Sequence, residues 1–139
     1  SFDVFKRYGH RCAVCSMQID GLLTATHIKP ASENGTDDPR NGIPLCKNHH
    51  AAFEKCFFTI HPGSYQIVTR ENGPSKEELE LVEEDILKLK ALPERMALQW
   101  HYRRFLGKFR YLALALLLIF PQVNHQYMPV FTSTLIEFP

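Results

Sequence analysis

Two short pairs of metal-ligand residues constrain this chain more than any other feature of its sequence. Cys12-x-x-Cys15 lies near the start, and Cys46-x-x-His49 follows after the 30 residues 16–45. Two such turns of chain are typical of proteins in which four soft ligands meet on one Zn²⁺. A closed shell of four protein ligands leaves no position for a substrate, so we expect this zinc to be structural.

Two alternatives bear on these residues. The four cysteines could form two disulfides, but no secretory signal precedes them and the spacing suits zinc better. Cys56 competes with His49 as the fourth ligand. We favour His49 because its pair repeats the tight spacing, which leaves Cys56 as a small buried hydrophobe. Zinc-bound thiolates imply a reducing location, here the cytoplasm.

Length and composition indicate one globular domain. The chain has 139 residues, of which 45% are hydrophobic, and this content excludes wholesale disorder. The cysteine-rich half alone is so short that a metal commonly supplements its hydrophobic core. Because the sequence starts at Ser1 without a Met, we expect it to be part of a longer protein with a further domain in front.

Basic residues are clustered although the formal net charge is only +1. Residues 71–94 carry three Lys/Arg against eight Asp/Glu, whereas residues 95–110 carry five Lys/Arg and no acidic residue. Such clusters can neutralise phosphates, although solvated surface charge is an equally ordinary explanation. The candidate phosphate contacts are Lys29, Arg40, Arg103 and Arg104.

The predicted order of elements indicates an α+β fold. A short helix over 2–8 precedes the first cysteine pair, and strands at 22–28 and 43–45 form a hairpin with a long loop. A helix follows from Lys47 or Asn48 to about Lys55, with Asn48 as a candidate cap.

The rest of the chain is predicted to be a second hairpin followed by helices. The hairpin pairs 56–60 with 65–69. A helix opens at Ser75 with a capping box to Glu78 and continues past Leu89, and a second amphipathic helix covers about 94–110. The apolar run 111–120 has ten residues, too few to span a bilayer, which needs about twenty.

Three polar residues in the cysteine-rich half are not needed by the zinc. His27 ends the first strand, Asn41 stands at a turn, and His50 lies on the following helix, so the three can converge above the hairpin. Each also has a plain structural explanation: a core histidine, a left-handed residue of an Asn-Gly turn, and a helix-surface histidine.

The ordered combination of RCAVC, LLTATHIKP, DPRNGIPLC and NHHAAFEKCFFTI resembles the HNH endonucleases, in particular the zinc-stapled type found in restriction enzymes. The resemblance covers about residues 2–70. It implies a ββα-metal module with His27 as general base, Asn41 as the residue that fixes the hairpin and its histidine, and His50 as a ligand of a catalytic Mg²⁺ or Mn²⁺.

The sequence departs from that family pattern in three places. Many relatives carry an acidic metal ligand directly before the base, where this chain has Thr26. The helix ends FEKC instead of Phe-Asp-x-Gly, so Glu54 replaces a shorter acid and Cys56 replaces a glycine. We expect Glu54, one turn beyond His50, to complete the catalytic metal site.

The resemblance implies a metal-dependent DNA endonuclease with a restriction-like role. A histidine, with its ordinary pKa near 6.5, can accept a proton from water at neutral pH. The alternative is an inactive, zinc-stabilised nucleic-acid-binding module. We expect a nuclease module over 1–70, a helical extension over 71–110 and an apolar tail over 111–139. DNA is the expected partner, a homodimer stays open, and no membrane span is expected.

Overall fold

The computed structural model describes residues 2–119, with side chains described through Gly107. The chain divides into one unit over 1–107 and another over 108–139. The elements that position the site all lie in the first unit, and in the second the structure describes the helical backbone as far as Ile119.

Two antiparallel hairpins and three α-helices within the described residues confirm the α+β fold. Both predicted hairpins are present, because β1 pairs antiparallel with β2, and β3 pairs antiparallel with β4. The α-helices and β-strands within residues 2–119 are α1 (Val4–Tyr8), β1 (Leu23–His27), β2 (Gly42–Cys46), α2 (Lys47–Glu54), β3 (Phe58–Ile60), β4 (Ile67–Thr69) and α3 (Arg95–Ile119).

A glycine on β2 allows α1 to pack directly on the first hairpin. A Cβ at Gly42 would lie 2.5 Å from Val4 Cγ2 and 2.9 Å from Phe2 Cζ, distances that a real side chain cannot occupy. Gly42 is the cross-strand partner of His27. The missing side chain therefore brings Phe2 against the end of β1, where His27 stands.

The loop after β1 turns back on itself at Asn34-Gly35. Asn34 adopts the left-handed conformation, with φ of 63°, which asparagine tolerates better than most residues. A Cβ on Gly35 would lie 1.7 Å from the carbonyl oxygen of Lys29. Only glycine therefore permits this close approach of two backbone segments, which closes the loop next to His27.

The cap of α2 differs from the prediction. Cys46, not Asn48, is the N-cap, and its sulfur accepts the backbone N–H of His49 at 3.5 Å. The helix begins one residue after Cys46 because β2 runs straight into it. The last residue of the strand therefore caps the helix and carries one of the four predicted zinc ligands.

The helix predicted to open at Ser75 is wrong beyond its first turn. Ser75 Oγ does accept the N–H of Glu78 at 3.0 Å, but the segment makes only a turn, Glu80 adopts a left-handed φ of 55°, and no helix forms. The backbone that follows bonds to other segments: Val82 N donates to Val14 O at 3.0 Å. Tertiary hydrogen bonds have overridden the helical spacing of the apolar side chains.

The core lies between the two hairpins, α2 and the start of α3. Phe53, Phe58, Ile86 and Leu98 are at most 1% exposed. The helix predicted for 94–110 is confirmed, and it extends beyond that range to Ile119. Of the predicted tail 111–139, residues 120–139 lie outside the described part of the chain.

We predict that Gly35→Ala lowers the free energy of unfolding by about 2 kcal/mol or more, because the new methyl group must displace backbone. Gly21→Ala is the matched control, since a Cβ at Gly21 meets nothing within 4 Å. Urea unfolding measures both, and an equally small change in the two variants would contradict the described loop.

Candidate functional site

The four predicted zinc ligands meet in one cluster. The ligand atoms of Cys12, Cys15, Cys46 and His49 all lie within 4.8 Å of one another. His49 Nδ1 is 3.1 Å from Cys46 Sγ and 3.7 Å from Cys12 Sγ. Zn–S bonds of about 2.3 Å and Zn–N bonds of about 2.0 Å place tetrahedral ligands roughly 3.5–3.8 Å apart, so the cluster has suitable dimensions.

The surroundings of His49 prepare it to bind a metal through Nδ1. Its Nε2 lies 2.7 Å from the carbonyl oxygen of Leu79. A carbonyl can only accept, so Nε2 carries the proton and the lone pair of Nδ1 faces the three thiols. This arrangement, in which a backbone group orients a ligand histidine, is usual at metal sites.

Three thiols packed together also favour a cation. Burial, together with the neighbouring thiols Cys12 and Cys46, raises the pKa of Cys15 to about 12. A bound cation would lower this pKa again, because the thiolate is the form that binds metal. The donor set and its geometry therefore fit a structural metal such as zinc.

Cys56 stands apart from the cluster. It is fully buried, and its sulfur lies 4.0 Å from His101 Nε2. Its φ of 54° is left-handed, a conformation that glycine adopts most easily. The choice of His49 over Cys56 as fourth ligand thus agrees with the geometry.

The imidazole of His27 is held in place by two contacts. Its ring stacks on Phe2 with centroids 3.8 Å apart and an angle of 5° between the planes. Its Nε2 lies 2.9 Å from Asp37 Oδ1. Because the carboxylate accepts, Nε2 is the donor, and Nδ1 of the neutral ring keeps its lone pair.

Asn41 closes the loop beside His27 with all of its side-chain hydrogen-bonding groups. Its Nδ2 donates to the carbonyl oxygens of Lys29 and Thr36, both at 2.9 Å, and its Oδ1 accepts from Lys29 N at 3.0 Å. Asn41 ends a 3₁₀ turn and is not left-handed, so the Asn-Gly turn explanation is wrong.

His50 and Glu54 form a pair on the outer face of α2. Nε2 of His50 is 2.9 Å from Oε1 of Glu54, as expected for positions one helical turn apart. Their side chains are 28% and 66% exposed, so solvent reaches both. Among residues 2–107, no second group of three or more His, Cys, Asp or Glu side chains has metal-site dimensions.

A cleft of about 290 Å³ joins the end of β1 to α2 and α3. Its lining includes His27, Glu54 and Arg104, together with buried His101. The cleft thus places an imidazole, a carboxylate and a guanidinium around one open space. Such a set can hold water near a base and an anion near a cation.

The four candidate phosphate contacts differ in their surroundings. Arg104 lines the cleft of His27, whereas Lys29 and Arg103 line a neighbouring cleft. The guanidinium of Arg40 already pairs with Asp38, with a closest contact of 2.7 Å. This pairing lowers the pKa of the Asp38 carboxyl to about 2.

Sequence reasoning missed three residues around the site. Asp37 and Phe2 both contact His27, but they come from a loop and from the segment before α1, and no spacing rule connects them to it. His101 is 2% exposed, and its ring stacks on Phe53 at 3.6 Å while Nε2 donates to Phe53 O at 2.9 Å. His101 therefore fastens α3 to α2 and forms part of the cleft wall.

Comparison with known families identifies this arrangement. A family profile described as HNH endonuclease matches residues 12–61, which contain the metal cluster, His27, Asn41 and His50. Residues 12–61 are thus similar to the HNH endonucleases. The resemblance found in the sequence is confirmed for this part of the chain.

A solved structure supports the same fold. The chain of a modification-dependent TagI restriction endonuclease superposes with a TM-score of 0.55 at 23% sequence identity. The match covers 73% of the present chain but only 35% of the TagI chain. A search of curated proteins found no match. Within residues 2–119, none of the helices combines the length and the apolar character needed to cross a bilayer.

We predict that Cys12→Ala abolishes stoichiometric zinc binding and the cooperative unfolding of the module, because three ligands leave the shell open and the small core depends on the metal. Cys56→Ala is the matched control and retains one zinc per chain, and His27→Ala retains both zinc and melting temperature. Zinc release to a chromophoric chelator and thermal unfolding measure these outcomes. Loss of zinc in Cys56→Ala would contradict the ligand set.

Proposed function

We propose that this HNH module is a metal-dependent DNA endonuclease that hydrolyses phosphodiester bonds with His27 as general base. The proposal rests on the contacts of His27 and on its position in the first cleft. Its imidazole is held by Phe2 and Asp37, lies outside the thiolate cluster, and opens into a cleft that also contains Glu54 and Arg104.

The residues divide the work of hydrolysis. His27 takes a proton through Nδ1 from a water molecule, whose oxygen forms a bond to phosphorus while the bond to the 3′ oxygen breaks. Arg104 faces the charge that develops on phosphate oxygens. The 3′ oxygen leaves as a hydroxyl after taking a proton from solvent, so the products carry 5′-phosphate and 3′-hydroxyl ends.

His50 and Glu54 would hold the catalytic cation in this proposal. They offer one nitrogen and one carboxylate oxygen on neighbouring turns of α2, and a hard ion such as Mg²⁺ or Mn²⁺ accepts few protein ligands because it keeps several waters. When bound there, the ion would supply Lewis-acid stabilisation of the phosphate and of the leaving oxygen.

Restriction-like cleavage is the biological role we propose. The TagI protein is described as a modification-dependent restriction endonuclease, and its matched region is 35% of that chain. This supports a division in which the present module cuts and other parts of a longer protein choose the target. Metal-binding thiolates also suit an intracellular, reducing location.

A second candidate function is nucleic-acid binding without cleavage. Thr26 occupies the position before the base, its side chain is buried, and its Oγ1 has no hydrogen-bond partner within the described residues. It cannot supply the carboxylate that many relatives have there. Thr26 in place of an acidic residue is the change expected in a module that has lost the catalytic ion but still binds DNA through its basic residues.

We predict that the wild-type protein nicks supercoiled plasmid in Mg²⁺ or Mn²⁺ and that His27→Ala lowers the rate by about 10²–10⁴-fold, the usual contribution of a general base. His10→Ala is the matched control because His10 is exposed and pairs with Asp20 away from the cleft. Gel shift without nicking in any metal would select the binding function instead.

We also predict that Asp37→Asn lowers turnover about tenfold at saturating metal, because an amide can donate to the ring as well as accept from it and no longer fixes the Nε2–H tautomer. Asp37→Glu, which keeps a carboxylate, restores part of the rate. Nitrogen NMR of the imidazole reports the change directly: the Nε2–H form dominates in the wild type and the two tautomers mix in Asp37→Asn. Rescue of Asp37→Asn by excess metal alone would show instead that Asp37 is a metal ligand.

A further inference from the structure

A second cleft lies on the other side of the loop that follows His27. It has a volume of about 330 Å³ and lies between that loop and the first turns of α3. Lys29 and Gly35 line it from the loop, and Trp100 and Arg103 line it from the helix. Neither the general base nor the pair on α2 belongs to it, so the proposed hydrolysis leaves this cleft without a role.

The two clefts share their walls. Along the loop, His27, Ile28 and Pro30 line the first cleft, whereas Lys29 between them lines the second. Along α3, His101 and Arg104 line the first cleft, whereas Trp100 and Arg103 line the second.

One residue pair links the clefts directly. The guanidinium of Arg104 lies 5.7 Å from the ring centroid of Trp100, a distance at which cation and ring attract each other. The two clefts are therefore adjacent, and a polymer bound at the first cleft would reach the second one.

The lining of the second cleft matches the chemistry of a nucleotide. Lys29 and Arg103 provide two cations for a phosphate, and the indole of Trp100 provides a surface for a base. Cations that follow the backbone and aromatic rings that stack bases are the usual features of sites for unpaired nucleotides. Glu94 is the one carboxylate in this lining, so the two cations outnumber it.

The size of the cleft limits what can occupy it. Its volume of about 330 Å³ is at the low end of the roughly 300–1,000 Å³ of small-molecule sites. This space is large enough for one nucleotide and too small to enclose a base pair of a duplex. A nucleotide that enters must leave its base stack, which costs least at a mismatch or in a single strand.

We infer that this second cleft holds one unpaired nucleotide next to the scissile phosphate, with its base against Trp100 and its phosphate between Lys29 and Arg103. The identity of the polymer rests on the proposed function, whereas the site itself rests on the residues of the cleft. The module would then prefer DNA that is already mispaired or single-stranded near the cut.

The single tryptophan of the chain makes this inference directly measurable. His27→Ala protein without Mg²⁺ or Mn²⁺ binds DNA but does not cut it, and Trp100 fluorescence is recorded during titration with two duplexes. One duplex is fully paired, and the other has the same length with one central mismatch. We expect saturable quenching by both, with severalfold tighter binding of the mismatched duplex.

Substitutions in the same background locate the site. Lys29→Ala and Arg103→Ala each weaken binding by about three- to tenfold and reduce the salt dependence by about one released counterion. Lys88→Ala is the charge-matched control, because Lys88 is exposed and pairs with Glu83 outside the cleft. Zinc content and melting temperature verify that every variant is folded.

The outcomes separate this inference from the proposed nuclease function. The nucleotide site alone is overturned if wild type nicks DNA while Trp100 stays unquenched. The same holds if wild type nicks DNA and Lys29→Ala and Lys88→Ala weaken binding equally. If Trp100 is quenched and the variants weaken binding as expected, but wild type nicks DNA in no metal, the nucleotide site is supported and the proposed nuclease function is overturned. Absence of both quenching and nicking overturns both proposals.

Discussion

Cys46 is the residue on which the rest of the module depends, because it belongs to three structures at once. It ends β2 opposite Leu23, its sulfur caps α2, and the same sulfur faces His49 Nδ1 in the metal cluster. A cation in that cluster would join the strand, the helix and the Cys12–Cys15 turn at one point. A core this small gains much of its stability from such a joint.

The four-ligand cluster and His27 lie at opposite ends of the same hairpin. The register pairs Leu23 with Cys46 at one end and His27 with Gly42 at the other. A structural ion can therefore stabilise the hairpin without binding the imidazole of His27. At the far end, Gly42 admits Phe2 against His27 and Asn41 closes the loop, so packing and hydrogen bonds alone fix the position of this imidazole.

The parts of the fold that could be predicted from the sequence are those encoded locally. Ligand spacing indicated the four-residue cluster, and turn residues with strand periodicity indicated both hairpins. The helix at Ser75 failed because distant backbone groups, among them Val14 O, offered its residues other hydrogen bonds. Asp37 was missed for the same reason: its contact with His27 depends on how the loop closes at Gly35, which no local pattern encodes.

We propose that one closed metal site holds the fold and that His27 lies outside it, beside a second, exchangeable ion. Anomalous diffraction at the zinc and manganese edges, from crystals of the zinc-loaded protein soaked in Mn²⁺, locates both ions. We expect a zinc peak bonded to Cys12, Cys15, Cys46 and His49, a manganese peak beside His50 and Glu54, and no metal bound to either nitrogen of His27. A zinc peak that includes a His27 nitrogen in its shell would contradict it.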